Sequence, residues 1–331
     1  GGVMWALRCL RVGQRAQQPL RGTITVGMQR SFTAVSAASI KQLRQRTGAP
    51  MVDCKNALAD SSGDLDQAVD WLRKRGRAAA VSKAQREAQQ GLVAVATEEN
   101  FCAILEVNSE TDFVARNEQF QAFVSQITSH ALSLVVSSGN ADLESLKSSS
   151  LPASSLTVQE SLEELVGSIR ENLQLSTFKI LKVESGVLAT YVHNALGPAM
   201  GKIATAVALQ TNSSDREAMQ SLGESICMHV AACSPMYLRA EDIPADVLAK
   251  EQAIARELVP SDRTPEIAEK IVAGKIRAWQ QEVVLLNQNY VLGEAGGKKK
   301  SIEALIKDAS TKAGTPIELV GFLRVEVGQN K

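Results

Sequence analysis

The first 52 residues of this 331-residue chain hold no carboxylate; seven Arg and one Lys come before Asp53, the first acidic residue. The rest carries 28 basic against 36 acidic residues, so the formal net charge of zero conceals a basic leader and a mildly acidic body. Such a body has no evident means of binding nucleic acid directly. Histidine is scarce, with only His130, His193 and His229 to supply proton transfer near neutral pH. The five cysteines are odd in number and include no Cys-x-x-Cys, which excludes a disulfide framework and suits a reducing compartment. Apolar runs are too short to span a bilayer, so no membrane role is expected.

Catalytic patterns are equally thin. Gly197-Pro198-Ala199-Met200-Gly201-Lys202 is one residue short of a phosphate loop and is followed by Ile203 where Ser or Thr is needed, and Gly296-Gly297-Lys298-Lys299-Lys300-Ser301 reads as a solvated basic turn. Cys227, His229 and Cys233 sit in an apolar stretch where cysteine behaves as a small buried hydrophobe, and no second ligand pair accompanies them. The chain therefore reads as a binding protein, not an enzyme, with no cofactor and no metal.

The leader, residues 1–37, is rich in Arg, Ser, Thr and Ala and has the composition of a mitochondrial transit segment; cleavage near Arg30-Ser31-Phe32 would deliver a mildly acidic protein to the mitochondrial matrix. A nucleic-acid-binding arm is the competing reading, although such arms cluster Lys and Arg more densely.

Hydrophobic residues make up 44% of the chain, enough for two or more buried cores. Periodicity and breakers predict short helices over Ser39–Arg46, Val52–Ala59 and Asp64–Arg75, then a basic helical linker over 77–90. Strands Gly91–Thr97 and Phe101–Val107 pair around Glu98-Glu99-Asn100, and a helix follows from Asp112 to about Val136. The same order recurs with strands Gly186–Val192 and Lys202–Gln210 and a helix over Asp215–Ala232. The Ser-rich segment 137–157 reads as a linker. Helices from Glu241 to Leu258 and from Glu266 to about Leu286 form a hairpin, and Ser301–Ala313 and Leu319–Val327 close the chain as helix and strand. The fold class is α+β: a three-helix module over 38–76, then a core of two related antiparallel-sheet/helix subdomains over 91–184 and 185–328, the second with the helical hairpin 241–286 inserted.

The most informative stretch is Ile104-Leu105-Glu106-Val107-Asn108-Ser109-Glu110-Thr111-Asp112-Phe113-Val114-Ala115-Arg116-Asn117, where an apolar strand passes through a polar turn into an aromatic beside a carboxylate. By spacing alone Phe113, Phe120, Phe123 and Ile127 share one helical face and read as core. Ser109 or Thr111 as N-cap, with Asp112 in the first turn, instead puts Phe113 at an exposed tip.

Glu-Val-Asn-x-x-Thr-Asp-Phe-Val-Ala-x-Asn resembles the signature of elongation factor Ts, the nucleotide exchange factor of the translational GTPase elongation factor Tu. Three other blocks are similar to the same family: Ile40–Ala49 with Asp53–Leu58 and Gly63–Ala68, then Met228–Ala232, then Val320–Gly328, so the likeness runs in order from residue 38 to 328. The resemblance implies a ubiquitin-associated-like (UBA-like) module that docks on the GTPase domain. It also implies a tip, Thr111-Asp112-Phe113-Val114, that enters between the GTPase helices beside the magnesium and phosphate site. There Phe113 is the wedge, Asp112 disturbs the magnesium region, Thr111 caps the tip and Val114 supports it. Tyr191-Val192-His193 resembles a family phrase whose histidine contacts the partner; a strand-end histidine facing solvent is the other reading. The implied partner is mitochondrial elongation factor Tu in a 1:1 heterodimer, with homodimerisation through the hairpin left open. The alternative is a ubiquitin-binding adaptor acting through residues 38–76.

Overall fold

The computed structural model describes residues 35–152, 154–260, 263–291 and 300–329. Residues 1–34 of the leader, with its expected cleavage point, and the basic turn up to Lys299 lie outside them, whereas Ala37 already belongs to the first helix.

Three helices open the fold: α1 (Ala37–Thr47), α2 (Met51–Asp60) and α3 (Leu65–Lys83). Gly48 ends α1 in the left-handed conformation, and the Asp64 carboxylate caps α3 by accepting from the N–H groups of Asp66 and Gln67, both at 2.9 Å. Leu43, Cys54, Ala57, Leu58 and Ala68 fill a small core between the three. Contrary to the spacing reading, α3 does not stop at Arg75. Arg77 to Lys83 are its last turns, because this Ala-rich stretch has high helix propensity and contains no breaker.

Strands β1 (Gln90–Glu98) and β2 (Phe101–Ser109) form a hairpin, followed by α4 (Asp112–Ala115) and α5 (Glu118–Ser138). The single helix expected from Asp112 to Val136 is thus two. Asn117 takes a β conformation, and its side chain caps α5 by accepting from Gln119 N at 2.9 Å and Phe120 N at 3.2 Å. The 137–157 segment is not a bare linker either: α6 (Leu143–Ser148) forms there, started by a capping box between Asp142 and Ser145. Then come α7 (Val158–Ile169) and β3 (Leu173–Lys182), two elements that spacing left unassigned.

The second half contains β4 (Gly186–His193), the two-residue β5 (Met200–Gly201), β6 (Ile203–Thr211) and α8 (Arg216–Cys233). Helices α9 (Ala245–Glu257) and α10 (Pro265–Val283) pack on each other, and α11 (Ile302–Ala313) and β7 (Ile317–Glu326) complete the chain.

One antiparallel sheet has the order β3-β2-β1-β5 and the other β4-β6-β7. Period-two alternation sorts their side chains. Leu92, Ala94, Leu105 and Val107 meet Phe120, Val124 and Ile127 of α5. Val93, Val95 and Ile104 point the other way and meet Ala204, Ala206, Ala208 and Val325 of the second sheet. On the far side of that sheet Val187, Val207 and Leu209 meet Ile226 and Val230 of α8 and Ile302 of α11. The layers run helix, sheet, sheet, helix.

Both sheets use one local device. Register slips between Glu106 and Val107 in the first and between Ala208 and Leu209 in the second. Facing each slip is a glycine: a Cβ on Gly91 (φ 133°) would lie 2.1 Å from the Val107 carbonyl oxygen, and one on Gly186 (φ 145°) 2.0 Å from that of Leu209.

The three N-terminal helices are fastened to the core where α3 crosses α7, glycine on glycine: a Cβ on Gly167 would come within 3.0 Å of the Gly76 Cα. Ion pairs flank the crossing, Arg73 to Glu164 at 2.7 Å, Arg77 to Glu160 at 2.7 Å and Arg170 to Asp53 at 2.6 Å. The Arg73 and Arg77 pairs are partly exposed on both sides, so each contributes about 1 kcal/mol or less, whereas Asp53 is buried and needs its arginine partners to replace lost hydration.

His229 is placed in the core of the second sheet with both ring nitrogens engaged: Nε2 lies 2.9 Å from Gln288 Oε1, and Nδ1 accepts the Val291 N–H at 3.2 Å. This is the neutral tautomer with the proton on Nε2.

Gly186→Ala should destabilise the chain by more than about 2 kcal/mol in urea unfolding, since the new methyl meets a strand carbonyl at a φ that non-glycine residues avoid. Desolvation lowers the His229 pKa from 6.5, with the Gln288 bond opposing it, and burial also lowers that of His130. The unfolded chain therefore takes up protons near pH 6.5 that the folded chain resists. Stability should be full above that pH and fall as pH drops below it, and His229→Gln should flatten the slope in melts compared at neutral and acidic pH.

Candidate functional site: an exposed aromatic tip

The tip grows out of the end of β2, and the residues just before it anchor that end. Glu106 is 1% exposed, yet its carboxylate is well partnered: Oε1 accepts from Asn108 Nδ2 at 2.9 Å and from the Gly328 N–H at 2.7 Å, and Oε2 accepts from the Thr177 hydroxyl at 2.7 Å. A buried carboxylate persists only with such partners. Glu106 and Asn108 are thus the structural half of the signature, tying β2 to β3 and to the end of the chain.

The chain then turns. The Ser109 hydroxyl donates to the Thr111 carbonyl at 2.8 Å, and Thr111 presents both its N–H and its hydroxyl to the Glu171 carboxylate, at 2.9 and 2.7 Å. Thr111 occupies the N-cap position of α4, but its side chain makes no capping bond. The expected cap is therefore replaced by an outside clamp, because the hydroxyl is already committed to Glu171.

Helix α4 is one turn, too short to hold its shape alone. Val114 and Ala115 are buried against Leu92, Leu105 and Phe120, whereas Phe113 is 78% exposed and Asp112 is exposed beside it. The two readings of the phenylalanine spacing are separated here: Phe120, Phe123 and Ile127 face the core and Phe113 does not, because the break at Asn117 puts it on a different helix.

A second segment lies against the tip. Gln121 donates from Nε2 to the Ala115 carbonyl at 2.9 Å and to the Leu196 carbonyl at 3.3 Å, so the loop between β4 and β5 is laced to the end of α4. His193 closes β4, is exposed, and has Nδ1 3.1 Å from the Tyr191 hydroxyl. Lys202, in the near-match to a phosphate loop, donates from Nζ to the Gly91 carbonyl at 3.0 Å. Desolvation lowers its pKa, and the nearby charge of Asp112 opposes that shift. The structure therefore unites Thr111 to Val114 in one feature and sets the β4–β5 loop beside it, while His193 itself bonds to Tyr191.

Glu171 and Gln121 were missed from sequence. Neither belongs to a short motif, and Glu171 reaches Thr111 across 60 residues of chain. The tip is convex. Clefts of about 410 and 820 Å³ lie along the seam between the N-terminal helices and α5 and α7, away from the tip. A projecting aromatic with a carboxylate beside it is suited to enter another molecule's groove, not to enclose a substrate.

Residues 110–329 match the family described as Elongation factor TS. Over 297 residues the chain is 40% identical to the elongation factor Ts of Bartonella tribocorum, covering 89% of this chain and 94% of that one. The chain belongs to the elongation factor Ts family. The elongation factor Ts of Parvibaculum lavamentivorans is 42% identical over 296 residues, with 89% and 93% covered, and that of Rhodospirillum rubrum 41% over 297 residues, with the same shares. The region matched to elongation factor Ts starts at Glu110, the residue after β2 and before the clamped Thr111, and runs through β3, β5 and the whole second sheet to Gln329.

Phe120→Ala should cost about 3–5 kcal/mol in urea unfolding, as expected for emptying a fully buried aromatic site. Phe113→Ala should stay within about 0.5 kcal/mol of wild type in the same measurement, as expected for an exposed side chain.

Proposed function

We propose that the chain promotes GDP release from elongation factor Tu by inserting the Thr111-Asp112-Phe113-Val114 tip beside the magnesium and phosphate site of the GTPase. Membership of the elongation factor Ts family makes it a non-catalytic nucleotide exchange factor for elongation factor Tu. The single observation that supports the tip as the acting part is the contrast inside one helical turn: Val114 is pinned to the core while Phe113 projects almost fully into solvent.

The physical logic is reciprocal coupling. Exchange factor and nucleotide each bind the GTPase, and each weakens the other by the same coupling free energy. A factor that binds the nucleotide-free state more tightly therefore speeds release. Phe113 as wedge separates partner helices. The Asp112 carboxylate perturbs the region of the ion that neutralises the diphosphate, and loss of that neutralisation weakens the nucleotide's hold. His193, on the strand leading to the loop laced to α4, is a second contact in this reading. The complex is a 1:1 heterodimer, and residues 38–76 dock on the GTPase domain.

The compartment in this reading is the mitochondrial matrix and the partner its elongation factor Tu, supported by the acid-free, Arg-rich composition of the first 52 residues. The adaptor reading needs residues 38–76 to act as a separate module. It is weakened by α3, which continues unbroken to Lys83 and packs closely on α7.

Release of a fluorescent GDP from mitochondrial elongation factor Tu, with and without the protein, tests the reading. Wild type should accelerate release, and Phe113→Ala and Asp112→Ala should each reduce the acceleration by roughly 5- to 30-fold, the loss typical of a contact hot spot. Equal acceleration by all three proteins would remove the tip from the mechanism.

A further inference from the structure

Glu171 follows Arg170, the left-handed C-cap of α7 (φ 67°), and precedes β3. Its two carboxylate oxygens converge on one residue at the root of the tip: Oε2 accepts the Thr111 N–H at 2.9 Å and Oε1 the Thr111 hydroxyl at 2.7 Å. Charge-assisted bonds to a backbone and a side-chain donor of the same residue fix that residue's direction as well as its position.

The adjacent pair repeats the lacing. The Asn172 N–H donates to Glu110 Oε1 at 2.6 Å, and Asn172 Nδ2 donates to the Arg86 carbonyl, just beyond α3, at 2.6 Å. The Arg86 guanidinium lies 3.4 Å from the same Glu110 oxygen. Glu110-Thr111 and Glu171-Asn172 are therefore joined side by side, with the end of α3 tied in through Arg86. Asn172 is buried, so its two bonds lie beneath the surface.

We propose that Glu171 is a positioning residue for nucleotide exchange: by clamping Thr111 it sets the direction in which Asp112 and Phe113 leave the sheet. The proposal rests on the exchange reading above. A wedge acts only if it enters at the correct angle, and a displacement of about 1 Å in a positioned group can cost a large factor in rate. Val114 fixes how deep α4 sits, and Gln121 holds its C-terminal end to the β4–β5 loop. Glu171 holds its N-terminal end, the end from which Asp112 and Phe113 project.

The test uses the full chain in the GDP-release assay, with exchange factor varied to saturation. Glu171→Gln keeps the shape but replaces one acceptor oxygen with a donor that opposes Thr111. It should lower the saturating release rate by roughly 5- to 20-fold while the half-saturating concentration changes by less than about twofold. Its melting curve should match wild type, and hydrogen exchange at the Thr111 amide should quicken. Thr111→Val should slow release in the wild-type background and have little further effect on top of Glu171→Gln, the non-additivity of a direct pair. An unchanged saturating rate in Glu171→Gln, or additive effects of the two substitutions, would overturn the clamp. A raised half-saturating concentration alone would overturn it too, since that marks a simple contact. In either case Phe113→Ala remains an independent check on the tip, and failure of wild type to speed release would sink the exchange reading itself.

Discussion

Ala204, Ala206 and Ala208 face Val93, Val95 and Ile104 across the space between the two sheets. Side chains this small let the sheets approach closely, and that approach buries β2 on both of its faces. A strand in this position is a firm base, and it is from its end that the tip departs. The same burial explains why Glu106 needs so many partners. A carboxylate enclosed between two sheets is tolerated only when hydrogen bonds replace the water it has lost.

The tip itself has little intrinsic stability. One helical turn gains too few internal bonds to offset the ordering of its backbone, so α4 takes its shape from what surrounds it. Burial of Val114 and Ala115, the Asn117 cap that begins the next helix, and the bonds from Gln121 and Glu171 each fix one degree of freedom. The arrangement resembles a blade held in a mount: the exposed edge is one aromatic ring, and the rigidity belongs to residues the partner need not touch. Preorganisation of this kind lowers the ordering cost that association would otherwise incur.

Much of this was legible from local sequence. The hairpin of β1 and β2, the strands β4 and β6, and the helices α8 and α10 to within a few residues follow from alternation and breakers. Two kinds of feature were not. The break between α4 and α5 is hidden because Phe113, Phe120 and Ile127 keep helical period across it, and only the Asn117 cap marks the discontinuity. Residues 158–182 went unassigned although Thr157 and Glu160 form a capping box at the start of α7. With β3 and α7 unplaced, the partners of Thr111 and Gly76 could not be foreseen, since both contacts join residues far apart in sequence. The candidate site was therefore readable as a motif, while the means of holding it was not.

The Gly328 N–H bonds to Glu106, 222 residues earlier in the chain. That single contact sets an order of events during folding. The first sheet can pair and α5 can cover it through contacts of shorter separation, but Glu106 keeps an unfilled position until Gly328 arrives. Contacts of such long separation form late because so much chain must close to make them. The base beneath the tip is thus completed last, and a fragment lacking the C-terminal strand would carry the whole signature without the finished mount that orients it.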